Sequence, residues 1–183
     1  MLACLLLTLS CTALRGQTRL LGLFQSPKGA GLSLMLDRDG QELDCFTLRT
    51  DFYGVLTGRT EQVGFCLTYT HDYSIFVRER ERCLLTLHAG AGGTGGYVHD
   101  YEKGFLSAYD RRLERAPGWM AALTGHIGLR ADFRCRISVG LGFSVHPGIH
   151  LRTDPGTGAL IVSLYRNGIQ QAYLPQINLL YRF

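Results

Sequence analysis

Long runs of strict alternation limit what this chain can fold into. From Val63 to Val77 the odd positions are Val63, Phe65, Leu67, Tyr69, His71, Tyr73, Ile75 and Val77, while the even ones include Gly64, Cys66, Thr68, Thr70, Asp72 and Ser74. From Trp119 to Phe133 the odd set is Trp119, Ala121, Leu123, Gly125, Ile127, Leu129, Ala131 and Phe133, against Thr124, His126, Gly128, Arg130 and Asp132. From Cys135 to Leu151 every odd residue is apolar, and the even partners are Arg, Ser, Gly and His. A helix would spread these residues around its axis, whereas a strand sends them to opposite faces. Shorter copies lie at Leu32–Leu36, Phe46–Phe52, Leu85–Leu87, Leu160–Leu164 and Tyr173–Phe183. The expectation is an all-β chain with a single closed antiparallel transmembrane barrel of about eight strands, ten being possible.

Composition agrees with strands and excludes some functions. The 183 residues suit one domain. They include 23 glycines, where average usage would give about 13. Glycine weakens helix interiors by roughly 1 kcal/mol each. The net charge of +4 is mild and the basic residues are scattered. A nucleic-acid partner would need a basic patch with aromatics interleaved, so none is expected.

Leu2 to Leu14 is apolar or small throughout and is broken by Arg15, Gly16 and Gln17. That length fits the apolar region of a signal peptide and is too short to span a bilayer as a helix. Residues 1–16 are therefore read as a signal peptide and 17–183 as the barrel domain. Cleavage before Cys11, as in a lipoprotein, ranks second because Thr8 stands three residues earlier. No later stretch is long and apolar enough for a membrane helix, so membrane residence would require a barrel.

Turn chemistry separates the strands. Asp39-Gly40 and Asn167-Gly168 are hairpin pairs, and Asp154-Pro155-Gly156 marks another reversal. Arg78–Arg82 and Asp132–Arg136 are short polar connectors, and Tyr97–Gly118 is the longest. The polar face carries glycine and small residues with Arg, His and Asp, which suits a narrow lumen. The apolar strips carry Trp119, Phe133, Tyr173 and Tyr181 near their ends, as interfacial girdles do. A lipocalin-like soluble barrel would reverse the two faces.

The last strand, Tyr173–Phe183, alternates and finishes on Phe, which resembles the strand that barrel-assembly machinery reads. With Gly96–Asp100 and Leu164–Gly168, the closing Tyr181-Arg182-Phe183 resembles uncharacterised small outer-membrane β-barrel proteins of Bacteroides-type bacteria. That resemblance implies a fold and an outer-membrane location and brings no catalytic residues. Its implied partners are outer-membrane lipid and the assembly machinery. Counting eight strands from Leu32 puts the long Tyr97–Gly118 connector on the side where short turns belong. A further strand at Thr18–Gln25 repairs this but makes the total odd, and one near Phe105–Tyr109 would make it ten.

Chemistry-bearing residues form no compact motif. Cys45, Cys66, Cys83 and Cys135 lack CxxC spacing, which argues against zinc and favours small semi-apolar strand residues. His88, His126, His146 and His150 share the polar face and, with Asp51, Asp72 and Asp132, offer the raw material of a site. Ser138 or Ser144 beside one of them would suit a lipid A-modifying acyl enzyme. An interior network of satisfied polar groups is the favoured account. His99–Glu102 reads as a polar loop, and Gly90–Gly96 lacks the helix and Lys-Ser/Thr pair of a phosphate loop. No catalytic, cofactor or metal residue is assigned, and the expected role is structural or loop-mediated interaction without enzymatic activity. The alternatives are a lipid A-modifying barrel and a soluble exported ligand-binding barrel.

Overall fold

The computed structural model describes residues 17–56, 62–99, 117–153 and 157–183. The leader at 1–16, most of the Tyr97–Gly118 connector and the Asp154-Pro155-Gly156 reversal lie outside them. The strands are β1 (Gln17–Ser26), β2 (Gly29–Arg38), β3 (Glu42–Thr50), β4 (Phe65–Glu79), β5 (Cys83–Val98), β6 (Gly118–Phe133), β7 (Ile137–Val145), β8 (Gly148–Thr153), β9 (Leu160–Leu164) and β10 (Gln176–Arg182). A one-turn helix α1 (Phe52–Leu56) follows β3. Helix α2 (Arg166–Gln170) and a 3-10 turn (Gln171–Tyr173) precede β10.

Eight of the strands close a barrel in the order β1-β2-β3-β4-β5-β6-β7-β10, with β10 returning to β1 and every pairing antiparallel. The β8–β9 hairpin extends from the upper part of β6. Following the register around the wall gives the stagger. From Ala121 it passes through Gly95, Leu67, Leu48, Leu32, Leu23, Leu179 and Val139 and returns to β6 at Ala131, ten residues along. With a rise of about 3.3 Å and a strand spacing of about 4.8 Å, that stagger sets a tilt of about 40° and a backbone radius of about 8 Å. A lumen that narrow is filled by side chains.

Counting β1 as a strand sorts the connections by length. One end of the barrel holds the turns at 39–41, 80–82 and 134–136, together with Gln17 and Arg182. The other holds the long connectors after β3, β5 and β7, and the turn at Pro27-Lys28. Asp39 (φ 55) and Gly40 (φ 73) supply the positive φ pair foreseen for a tight hairpin. Asn167-Gly168 instead lies in α2, where a Cβ on Gly168 would stand 2.0 Å from the His146 carbonyl oxygen. That glycine serves close approach and not a hairpin.

The run from Cys135 to Leu151 is not one strand. It is broken at His146-Pro147 into β7 and β8, both of which pair with β6. Proline has no N–H to give a ladder, but its carbonyl still accepts from Leu123 N at 3.0 Å. The alternation therefore survives the break.

Side-chain direction follows the parity as far as a β-bulge at Ile75 of β4, past which Val77 pairs with the inward-facing Thr86. Leu23, Leu32, Leu67, Leu123, Leu141 and Ile177 point outward and are exposed, whereas Ser33, Asp72, Thr124, Ser138 and Ser144 are buried in the lumen. Among the described residues, buried apolar side chains gather in two small clusters, Leu20 with Met35, Leu43, Cys45 and Leu180, and Cys66 with Val98, Met120 and Tyr165.

Candidate functional site in the polar lumen

The lumen is organised in three tiers. Nearest the short turns, Arg130 donates through Nε to Asp132 at 2.9 Å and through Nη2 to Asp37. Ser138 donates to Asp132 at 2.5 Å. An open bowl of about 430 Å³ lies below this group, with Arg130 and Asp132 among its lining residues.

The middle tier is built by register. Asp72 on β4 and His126 on β6 both pair with Gly90 of β5. With no side chain between them, Asp72 Oδ2 reaches His126 Nδ1 at 2.6 Å. His88, two residues before Gly90, brings its Nδ1 to the same oxygen at 2.8 Å. The Cys45 thiol lies 4.0 Å from it. The two imidazole rings tilt at 50° with centroids 5.2 Å apart.

The upper tier pairs Ser144 Oγ with His146 Nε2 at 2.8 Å. The other ring nitrogen meets the Thr94 and Thr124 hydroxyls, each at 3.0 Å. Gln176 donates to Ser144, and Arg49 donates to Gln171. Lys28, in the Pro27-Lys28 turn, donates to the Tyr165 hydroxyl at 2.9 Å and sits 5.4 Å from its ring centre. Tyr165, Asn167 and Gln171 are all buried, so the segment before β10 packs into the mouth of the barrel.

Serine beside histidine at 2.8 Å invites a nucleophilic reading, and two features oppose it. The imidazole is oriented by threonine hydroxyls instead of a carboxylate. The cavity beside it is about 40 Å³, enough for a few water molecules and not for an acyl chain.

The residues singled out in the sequence thus divide. His88, His126 and Asp72 come together, and Ser144 joins His146. His150 is buried apart, against Tyr165 with ring centres 5.9 Å apart. Asp132 and Ser138 belong to the lower tier. Asp51 lies beyond β3, beside a small pocket that Lys28 also lines. Cys45 and Cys66 are buried, Cys83 is half-buried and Cys135 is exposed, and none of these four is in a disulfide.

A second polar group, missed in the sequence, lies on the outer wall. Asp44 faces outward yet its side chain is only 7% exposed. Its Oδ1 lies 2.8 Å from His71 Nδ1 and accepts from Tyr69 OH at 3.0 Å, while Oδ2 accepts from Arg38 at 2.8 Å. The available signal was polarity on the apolar parity, at His71 and at Asp44, which are register partners.

Comparison with protein-family models, curated proteins and solved structures finds no match to the chain.

Proposed function

We propose that this is a small outer-membrane β-barrel whose role is structural or interactive, exerted through its long-connector end. The observation that carries the reading is inverted polarity: leucine, isoleucine, valine and aromatics outside, and charged and hydroxyl side chains inside. A soluble barrel places those classes the other way round. Phe65, Tyr97 and Trp119 form an outward ring cluster with centroids 5.4–6.0 Å apart at the long-connector end. Arg19, Arg38 and Glu42 occupy the outward register near the other end. At the tilt derived above, the wall between these belts is about 25 Å tall, the height of a lipid-facing band.

The Asp44 group fits the same reading. An acidic side chain facing lipid must be paired, and Arg38 reaches it from the rim in the manner of a snorkelling side chain. In this setting Ile177, Leu179 and Tyr181 of β10 present the alternating outward face that assembly machinery would bind. Two features favour interaction over transport: the lumen is occupied by side chains, and its mouth is filled by Tyr165, Asn167 and Gln171. A lipocalin-like function would call for an apolar ligand cavity, whereas the cavity beside His146 is about 40 Å³ and the open bowl of about 430 Å³ is lined by Asp37, Arg130 and Asp132 among others.

Membrane fractionation of the native protein, with gel migration before and after boiling, tests the proposal. Recovery in the outer-membrane fraction with heat-modifiable migration supports it. A folded protein in the soluble fraction without detergent overturns it.

A further inference from the structure

We infer that Asp72, His88 and His126, with Cys45 beside them, form a binding site inside the barrel for a divalent transition metal of the zinc type. The inference stands on the lumen geometry and is independent of what surrounds the wall. One ligand-capable atom from each of Asp72, His88 and His126 lies within 4.8 Å of the others. The Cys45 thiol is 4.0 Å from the shared carboxylate oxygen. Two imidazoles, a carboxylate and a thiolate make a donor set that zinc and its neighbours in the first transition row accept in tetrahedral geometry. Ligand bonds of about 2.0–2.3 Å imply ligand separations of about 3.3–3.7 Å. The present 2.6 and 2.8 Å hydrogen bonds would therefore open by somewhat under an ångström.

Three further observations point to an occupant. Asp72 is fully buried and its Oδ1 has no hydrogen-bond partner among the described residues, an arrangement that in native proteins usually signals an ion or water. Glycines surround the group. A Cβ on Gly90 would stand 2.4 Å from Asp72 Oδ1, one on Gly128 2.8 Å from His88 Nε2, and one on Gly142 2.8 Å from His126 Nε2. The backbone thus leaves these side chains room that any larger residue would remove.

Charge is the third observation. Arg130, in the tier below, is engaged by Asp37 and Asp132, so the groups that hydrogen-bond Asp72 are imidazoles and a thiol. A divalent ion bound by one carboxylate and one thiolate leaves a neutral centre, which suits a site shielded from water. The cavity touching Cys45 and His126 gives a small ion a place to enter.

The test uses the full folded chain in detergent micelles, stripped of metal and titrated with cobalt(II) and then with zinc. The expected result is one equivalent of cobalt bound, with tetrahedral ligand-field absorption and a sulfur-to-cobalt charge-transfer band, both bleached by zinc. Cys45→Ser should lose the charge-transfer band and weaken binding, while His88→Gln and His126→Gln should lose stoichiometric binding. His150→Gln, a buried histidine outside the group, should bind as the parent does. Gel migration confirms that each variant is folded, and zinc should raise the thermal midpoint of the parent and of His150→Gln but not of His88→Gln or His126→Gln. Substoichiometric cobalt in the folded parent overturns the inference without reference to any variant. So does unchanged binding in folded His88→Gln and His126→Gln.

Discussion

Replacing Leu141 by arginine is the sharpest probe of what surrounds the wall. Leu141 lies on β7, 46% exposed, between Leu129 of β6 and Ile177 of β10, both also outward. It stands four residues from Ile137, which begins the strand at the short-turn end. At a 40° tilt each residue climbs about 2.5 Å along the barrel axis, so Leu141 is about 10 Å above that rim. In a band about 25 Å tall it is within a few ångströms of the midplane, where arginine costs about 2–4 kcal/mol. A loss of about 3 kcal/mol with a urea slope of about 2 kcal/mol/M lowers the unfolding midpoint by about 1.5 M.

Leu164→Arg is the internal control. That residue is 59% exposed, on the β9 strand of the hairpin that extends past the barrel rim, and the change there should cost less than about 1 kcal/mol. Ser144→Arg is not a usable control, because Ser144 is hydrogen-bonded to His146 and Gln176 beside a cavity too small for the new side chain. The assay is urea titration of refolded protein in lipid vesicles, read by gel migration. If Leu141→Arg and Leu164→Arg shift the midpoint equally, or neither shifts it, the depth argument is refuted.

Two more perturbations address the lumen. Arg130→Met strands Asp37 and Asp132 in the interior and should destabilise the barrel by about 3–5 kcal/mol in the same titration. Gly128→Ala places a Cβ 2.7 Å from the His88 ring, so it should cost about 1–3 kcal/mol through overpacking, with less thermal stability but an unchanged fold by circular dichroism.

What could be read from the sequence depended on contrast between neighbours. The parity of β6 and β7 was legible because Leu, Ile and Val alternate there with Ser, His and Arg. Most of β5 was not, since Ala89 to Gly96 is nearly all alanine and glycine and presents no alternation to detect. The break at Pro147 was hidden because β8 continues the parity of β7 along the same partner strand. The histidines could be placed on the inner face, but their grouping could not. Asp72, His88 and His126 sit on three different strands and meet only through the shared register at Gly90. The Asp44–His71 pair depends in the same way on the alignment of β3 with β4.

The seam between β1 and β10 also governs how the molecule can be made. Leu20–Gln25 pairs with Ile177–Arg182, so the earliest described strand finds one of its two neighbours in the latest. Until β10 arrives, β1 keeps a whole edge of unpaired N–H and C=O groups, and so does β7. In water such edges invite aggregation, and in hydrocarbon each unmet group costs several kcal/mol. The barrel therefore cannot be laid down one finished hairpin at a time. Its strands must be held unpaired and delivered together, or the open edge must be covered by a temporary template until closure. The interior tiers impose the same timing: Asn178 and Gln176 of β10 help line the cavity that Thr68 and Thr70 of β4 line from the opposite wall. Closure and the ordering of the lumen are one cooperative event, and a chain cut anywhere before β10 should have no partial barrel to fall back on.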